Sequence, residues 1–229
     1  MQNQLQINML LAKSQTLIKS FLILFALYFG YSMVLGVLGD FFPELVDNGY
    51  KQEFIKALFT DSPFKAFMTI VVMAPLLEEM MFRTLVQPSH LDLILFISVW
   101  PVVFLVGFVP LDVHWAVKLV FTCIFLFAVG YILIGLIPAK KTAKVRRCLK
   151  KYKLPMLVLS AMIFGFIHIT NYVDGFIIDL PLFLLIFPRI LAGIMLGWIK
   201  IKNRTLPWSM ALHAMNNGFA FIILLFFFA

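Results

Sequence analysis

The chain has 229 residues, of which 62% are hydrophobic and 13% are charged, and its mean hydropathy is +0.99. This composition excludes an ordinary soluble domain, in which about half of the residues are apolar and about a quarter are charged. Too few polar residues remain to cover so apolar a core, so lipid must serve as part of the solvent. The composition therefore predicts an integral membrane protein.

The net charge of +8 would, in a soluble protein, suggest a nucleic-acid partner. Here the basic residues are concentrated in one connector, residues 139–153, which has no acidic residue. It contains Lys140, Lys141, Lys144, Arg146, Arg147, Lys150, Lys151 and Lys153. A basic run between hydrophobic segments is typical of a cytoplasmic loop near anionic headgroups. Because it lacks a folded platform with interleaved aromatic side chains, we predict no nucleic-acid partner.

Seven segments are long and apolar enough to cross a membrane, since a transmembrane helix needs about 20 mostly apolar residues. They are residues 17–39, 64–87, 91–111, 115–138, 154–171, 181–199 and 205–228. The first follows Lys13 and Lys19 and has no A-x-A-like cleavage site, which indicates an uncleaved signal anchor. The pattern predicts an all-α polytopic transmembrane bundle of about seven spans.

The charges of the loops predict that the N-terminus lies in the cytoplasm. This orientation places every basic segment on the inner side, as the positive-inside rule requires. These segments contain Lys13, Lys19, the basic connector, Lys200, Lys202 and Arg204. The outer segments then hold Asp40, Glu44, Asp47, Glu53, Asp61, Asp112, Asp174 and Asp179.

Residues 40–63 are too polar to span a membrane. Phe54, Ala57, Leu58 and Phe64 indicate a short amphipathic element at the outer interface. No internal repeat or low-complexity linker interrupts the chain. We therefore divide it into residues 1–63, an N-terminal anchor with an outer interfacial segment, and residues 64–229, an integral core that includes the basic connector.

Two adjacent carboxylates, Glu78 and Glu79, lie within the second predicted span. Inserting an ionisable residue at the centre of a span costs roughly 2.5–3.5 kcal/mol of free energy, so each such residue is expected to have a structural or functional role. Arg83 follows Glu79 by four residues and shares its helix face, which allows an ion pair. Glu78 points about 100° away, without a partner on its own helix. One ion pair explains Glu79 and leaves Glu78 available as a general acid or base.

Histidines occur in two other spans, as Phe164-x-x-x-His168 and as His213-x-x-x-Asn217. His213 and Asn217 share one helix face, and Ser209 continues the same stripe. A single histidine in a helix is most often a core residue with satisfied hydrogen bonds, and polar groups on a span often bond neighbouring helices. Histidines on two spans beside an unpaired carboxylate instead favour a catalytic site near the middle of the membrane.

The three segments resemble, in order and spacing, the three motifs of the CPBP family. This family comprises CAAX prenyl proteases and the bacterial bacteriocin-processing and immunity proteins, also called the Abi family. The resemblance covers roughly residues 64–228 and rests on Glu78-Glu79-x-x-x-Arg83, Phe164-x-x-x-His168 and His213-x-x-x-Asn217. It implies an intramembrane protease that hydrolyses a peptide bond in a cavity open to the cytosolic leaflet.

The resemblance also implies a role for each motif residue. Glu78 and His168 would activate the attacking water, and His213 and Asn217 would stabilise the oxyanion. Glu79 and Arg83 would hold the helix and tune Glu78. The implied substrate is a leader, pheromone, bacteriocin or CAAX-like peptide or protein that enters from the membrane or the cytosol. The implied location is the plasma membrane of a bacterium.

Zinc is a possible cofactor, because Glu78, His168 and His213 could form a three-ligand catalytic site with an open position. The sequence has no H-E-x-x-H helix, and asparagine is a poor zinc ligand. We therefore favour a mechanism without metal or other cofactor and keep zinc as the alternative.

Two further features lie on the sixth predicted span. Gly193-x-x-x-Gly197 is typical of close helix packing. Arg189 is an additional intramembrane charge that could snorkel, pair with Glu78 or Glu79, or bind a carboxylate of the substrate.

Three other functions remain open from the sequence. A catalytically silent relative would act as a membrane scaffold or regulator, although a scaffold needs no such set of catalytic residue types. A bacteriocin self-immunity protein could be the same protease described by its phenotype. An ion-coupled transporter would also bury Glu and His residues, but the inverted repeats with broken helices typical of transporters are not evident.

Overall fold

The computed structural model describes residues 2–46, 49–110, 112–173, 175 and 177–228, and within these ranges it is helical without strands. The all-α prediction is therefore confirmed. The α-helices are α1 (Gln2–Phe41), α2 (Pro43–Val46), α3 (Glu53–Asp61), α4 (Pro63–Phe67), α5 (Ala74–Phe82), α6 (His90–Gly107), α7 (Trp115–Leu136), α8 (Ala139–Lys151), α9 (Lys153–Ile167), α10 (Leu180–Asn203) and α11 (Leu206–Phe228). A π-helix at Met68–Met73 joins α4 to α5, and a 3₁₀-helix at His168–Asn171 follows α9. Asp47 and Asp174, two of the predicted outer acidic residues, lie outside the described residues.

Six helices of the described chain are long and apolar enough to cross a membrane as single elements: α1, α6, α7, α9 with its 3₁₀ extension, α10 and α11. The remaining predicted span is α4, the π-helix and α5, which run without interruption over residues 63–82. Large apolar side chains such as Phe104, Phe127 and Ile124 are exposed, as expected on a surface that faces lipid. The structure agrees with a bundle of about seven spans.

The π-helix has a cause in the sequence and a consequence for packing. Pro75 lies in the first turn of α5 and has no N–H to donate back to the preceding turn. A wider turn over Met68–Met73 accommodates this missing donor and alters the direction of the carbonyl groups. One of them, the carbonyl of Ile70, accepts a hydrogen bond from Asn217 Nδ2 at 2.9 Å. This bond ties α11 to the segment that precedes the glutamates.

Helices α9 and α10 approach closely because glycines line their contact. A Cβ atom added to Gly193 would lie 2.9 Å from Ala161 Cα, and one added to Gly197 would lie 3.0 Å from Leu157 Cγ. A Cβ at Gly165 on α9 would likewise collide with Ile190 on α10. The predicted small-residue packing is confirmed, and it fixes the position of the helix that ends at His168.

The basic segments gather at one end of the bundle. Asn203 Nδ2 donates to the carbonyl of Lys13 at 3.1 Å, which joins the end of α10 to α1. The basic connector is also at this end and folds as helix α8 rather than as a loop, and it packs on α6 and α9. It has no Gly or Pro between Ala139 and Lys151 and is rich in helix formers, which hydropathy alone does not detect.

The amphipathic element predicted within residues 40–63 is helical and corresponds to α3, with Phe64 in the following helix α4. Buried Leu58 and Phe59 of α3 pack against α11, where the Phe59 and Phe221 rings stack at 5.1 Å. At the same end, Tyr50 donates from its hydroxyl to Asp179 Oδ2 at 2.5 Å. The other oxygen of Asp179 caps α10 by accepting from Leu182 N at 2.8 Å. This carboxylate holds the pKa of Tyr50 above its usual value, because it accepts a hydrogen bond that only the neutral hydroxyl can donate.

Candidate active site

Three helical segments bring the predicted site residues into one region of the bundle. Helix α5 carries Glu78 and Glu79 and ends at Arg83, α9 ends at His168, and α11 carries His213 and Asn217. The packing of α5 on both α9 and α11 brings the three segments together. We refer to these six side chains as the polar cluster.

Glu79 is fully buried and is the most extensively bonded member of the polar cluster. Its Oε1 lies 3.0 Å from His213 Nδ1, and its Oε2 accepts a hydrogen bond from the Ser209 hydroxyl. Arg83 Nε lies 3.6 Å from the same Oε2, so the ion pair expected from the spacing of the two residues is present. Three partners thus compensate the burial of this carboxylate.

Arg83 is also fully buried and connects α5 to α9. Its Nη1 donates to Ser160 Oγ at 2.7 Å and to the Ser160 carbonyl at 3.3 Å. The guanidinium carbon lies 4.4 Å from the centre of the Phe164 ring, which adds a cation–π contact. The Arg83 guanidinium therefore contacts Glu79 on its own helix and both Ser160 and Phe164 on α9.

His213 connects the two adjacent glutamates. Because the Glu79 carboxylate accepts hydrogen bonds, Nδ1 of His213 carries the proton in the 3.0 Å contact. The other ring nitrogen, Nε2, lies 3.7 Å from Glu78 Oε2. The imidazole is thereby held in one orientation by Glu79, with Nε2 turned toward Glu78.

Glu78 differs from its neighbour in exposure. Its side chain is 27% exposed, whereas that of Glu79 is 0% exposed. Among the described residues its carboxylate forms no hydrogen bond, and its single ion pair is the 3.7 Å approach to His213 Nε2. Glu78 is therefore the carboxylate of the pair that can reach a water molecule or a substrate.

His168 lies at the C-terminal end of α9, where the α-helix changes to a 3₁₀-helix. Its Nδ1 contacts the carbonyl of Phe164 at 2.6 Å, and because a carbonyl only accepts, Nδ1 is the protonated nitrogen. In neutral His168 the remaining nitrogen, Nε2, is then an acceptor. The centroid of the Phe164 ring lies 4.7 Å from that of His168 and 5.6 Å from that of His213, so one aromatic ring contacts both histidines.

Asn217 is held in a fixed orientation one turn after His213. Its Nδ2 donates to the Ile70 carbonyl at 2.9 Å, and its Oδ1 accepts from Asn216 Nδ2 at 3.3 Å. An amide nitrogen has two hydrogens, so one donor of Asn217 remains available.

The side chains suggested as zinc ligands do not converge as zinc ligands should. Zinc requires nitrogen and oxygen donors about 2.0–2.2 Å from a common point. Among the residues that the structure describes, no three His, Cys, Asp or Glu side chains are grouped closely enough to hold a metal ion. Glu78, His168 and His213 as placed do not fit zinc, and we derive no step through it.

The structure adds partners that the sequence motifs did not identify. The spacing already placed Ser209 on the helix face of His213, and the structure adds its hydrogen bond to Glu79. Ser160 could not be predicted, because its contact with Arg83 depends on how α9 packs against α5. Arg189 Nη1 donates to the Tyr172 hydroxyl at 3.1 Å and to the Leu185 carbonyl at 3.2 Å, and it forms no ion pair with a described carboxylate.

The fold and this cluster define an integral membrane protein with a buried polar site built from three spans. A family model described as Type II CAAX prenyl endopeptidase Rce1-like matches residues 60–219, which include all six members of the polar cluster. The chain belongs to this family, and the resemblance drawn from the motifs is confirmed. Membership supports an intramembrane protease of the CAAX type. Comparisons with curated proteins and with solved structures gave no significant match.

Proposed function

We propose that the chain is an intramembrane endopeptidase that hydrolyses a peptide bond of a membrane-associated peptide or protein by means of an activated water. The observation that supports this most is that the two adjacent glutamates differ in exposure and in bonding. Glu79 is buried and bonded to Ser209, His213 and Arg83, while Glu78 is partly exposed and faces His213 Nε2. A purely structural pair would leave neither carboxylate accessible.

In this proposal Glu78 is the general base, assisted by His168. A carboxylate that has no hydrogen bond to protein can accept the proton of a bound water. His168 Nε2 is a second acceptor, because Nδ1 is committed to the Phe164 carbonyl. Two acceptors directed at one water would orient its lone pair toward the substrate carbonyl carbon.

His213 and Asn217 are the proposed oxyanion donors. In this role His213 donates from Nδ1 to Glu79 and from a protonated Nε2 to the oxyanion. Asn217 contributes the amide hydrogen that Ile70 does not use. Donors fixed in advance at the site of developing charge stabilise the tetrahedral intermediate.

The proposed reaction proceeds in two steps. The oxygen of water bonds to the carbonyl carbon while one proton passes to Glu78, and the carbonyl oxygen becomes the oxyanion. The C–N bond then breaks, and Glu78 returns that proton to the leaving amine. The C=O bond re-forms as the C–N bond breaks, so the immediate products are a carboxylic acid and an amine, and the acid then passes its proton to the amine. Glu78 is restored without a metal or other cofactor.

We propose that Arg189 binds a carboxylate of the substrate. Its guanidinium donates only to the Tyr172 hydroxyl and the Leu185 carbonyl among the described residues, and it forms no ion pair with a described acidic side chain. A CAAX sequence lies at a C-terminus, so its free carboxylate accompanies the cleaved region into the site. An Arg189→Gln variant should bind a substrate with a free C-terminus more weakly, and the amidated form of the same peptide unchanged. Equal weakening for both forms would refute this role.

The orientation proposed for the chain has the N-terminus in the cytoplasm and the site open to the cytosolic leaflet. The gathering of the Lys13 region, α8 and Arg204 at one end of the bundle supports it, because basic segments remain on the inner side. The proposed membrane is the plasma membrane of a bacterium, and the proposed substrates are leader, pheromone, bacteriocin or CAAX-like peptides. The proposed partners are the lipids around the spans and the peptide or protein substrate, without a nucleic acid.

Reconstituted protein tests this function directly. Liposomes containing the chain would be offered membrane-anchored leader peptides and prenylated CAAX peptides in H₂¹⁸O, with mass spectrometry of the products. We expect cleavage at one bond with one ¹⁸O in the new carboxylate. If no peptide is cut above the level of empty liposomes, the result would favour a scaffold or immunity protein. Ion flux that depends on Glu78 would instead favour a transporter.

A further inference from the structure

A polar cavity lies at the basic end of the bundle, outside the polar cluster. It has a volume of about 370 Å³ and lies between the turn after α5, the start of α6, the face of α8 and the α10–α11 junction. Its lining includes Gln87, Ser89, Arg146, Arg147, Lys150 and Arg204. A cavity of this size falls within the range typical of small-molecule sites, about 300–1,000 Å³.

The lining of this basic cavity is strongly positive and is not neutralised. Four of its residues are cations and none is acidic. Within the described chain, none of the four forms an ion pair. The nearby acid, Asp92, is already engaged with Lys200 Nζ at 3.1 Å and with the backbone N–H of Ser89 at 2.9 Å. Four like charges around one cavity repel each other unless an anion occupies it.

Two further features of the cavity suit an anion that carries hydroxyl groups. Ser89 is the N-cap of α6, an 18-residue helix, so the positive end of its dipole lies at the cavity. Gln87 lines the cavity, and its Oε1 has no hydrogen-bond partner among the described residues. Rotation of this side chain would bring Oε1 into the cavity, where it would accept a hydrogen bond from a protonated phosphate oxygen or from a headgroup hydroxyl.

The cavity also lies where a phospholipid headgroup would be. Helix α8 connects the ends of α7 and α9, both long enough to cross a membrane, so it lies at the level of the headgroups. Basic pockets between transmembrane helices on the cytoplasmic side are typical sites for anionic headgroups. We propose that the basic cavity binds a phosphate group, supplied either by an anionic phospholipid or by free phosphate. This site is independent of the proposed protease function.

The test compares two triple variants with the same loss of charge on the same helix. R146Q/R147Q/K150Q removes three cations of the cavity, and K141Q/K144Q/K151Q removes three cations of α8 that do not line it. The purified full chain would be incubated with nanodiscs of phosphatidylglycerol, nanodiscs of phosphatidylcholine, and inorganic phosphate in the phosphatidylcholine background. Native mass spectrometry would report the bound species, and the melting temperature would report folding.

We expect one phosphatidylglycerol or one phosphate per chain to remain bound to the wild type and to the control triple. The cavity triple should lose affinity on the order of a hundredfold, since each basic residue near an anionic surface contributes about fivefold. Retention of phosphatidylglycerol identifies a lipid headgroup as the source, and binding of phosphate alone identifies a soluble anion. Equal losses in the two triples, or no bound phosphate species in either arm, would overturn the proposal. Cleavage activity is scored separately, so its absence does not affect this result.

Discussion

His213 Nδ1 lies 3.0 Å from Glu79 Oε1, while the opposite nitrogen of the same ring lies 3.7 Å from Glu78 Oε2. One imidazole on α11 thus meets two consecutive carboxylates on α5. Consecutive residues on a helix point about 100° apart, so a single ring can contact both only from between them. This relationship gives the adjacent glutamates different surroundings and, in our proposal, different roles.

The first prediction concerns the ion pair that holds the buried glutamate. Arg83→Ala should lower the folded yield and the melting temperature, because it leaves Glu79 buried with its charge less compensated. Removing one partner of a buried pair typically costs about 3–5 kcal/mol. Size-exclusion chromatography in detergent and a thermal melt would measure the loss. Lys144→Ala, at an exposed position, is the control, and equal melting of the two variants would contradict the role given to Arg83.

The second prediction separates two neighbouring asparagines. Asn217→Ala should reduce kcat by about 10²–10³-fold, the usual cost of removing one oxyanion donor, with little change in KM. Asn216→Ala removes a side chain that donates to Asn217 Oδ1, so it should cost no more than about tenfold in kcat, the size of a single hydrogen bond. Asn217→Ala also loses its hydrogen bond to the Ile70 carbonyl, so we expect it to melt slightly below wild type while remaining folded, and kcat is compared on folded protein. Equal kcat values for the two variants would remove Asn217 from the oxyanion site.

Much of the architecture could be predicted because the membrane imposes simple rules. Long apolar runs must be helical, since lipid offers no hydrogen bonds to the backbone, and this alone located the spans. The Glu79–Arg83 pair followed from helical spacing, since both residues lie on one helix. The packing of α9 on α10 followed from its glycines in the same way.

The remaining contacts depend on tertiary geometry. Nothing local in the sequence indicates that Ser160 accepts a hydrogen bond from Arg83, or that the Ile70 carbonyl accepts one from Asn217. The π-helix and helix α8 were also not predicted, because hydropathy locates spans without resolving the turns within or between them. The pairing of His213 with Glu79 rather than Glu78 alone required the relative rotation of α5 and α11.

The third prediction tests the close approach of α9 and α10. Gly193→Ala should destabilise the fold by about 1–3 kcal/mol, because its new methyl group would lie 2.9 Å from Ala161 Cα. Gly135→Ala is the matched control, since nothing lies within 4 Å of its added Cβ. Alanine also favours a helix over glycine by up to about 1 kcal/mol, so the control should be neutral or slightly stabilised. The measurement is the melting temperature of both variants in one detergent. A Gly193→Ala protein that melts at the wild-type temperature would refute the close packing of α9 on α10.

The fourth prediction concerns metal dependence. Because Glu78, His168 and His213 do not converge as zinc ligands, activity should survive extensive dialysis against a chelator, and purified protein should contain less than one zinc per chain. Elemental analysis and a cleavage assay before and after dialysis would measure both quantities. Loss of activity on chelation that is restored by stoichiometric zinc would show that the three side chains rearrange around a metal.

The most direct test of the central claim is the cleavage rate of Glu78→Gln in the same liposomes and with the same substrate as wild type. Glutamine keeps the shape of the side chain but cannot accept the proton of water, so we expect a loss of about 10²–10⁴-fold with an unchanged melting temperature. Glu53→Gln, an exposed change of the same kind on α3, should cleave at the wild-type rate. A folded Glu78→Gln protein with nearly wild-type turnover would contradict the account, because the water would then be activated without Glu78.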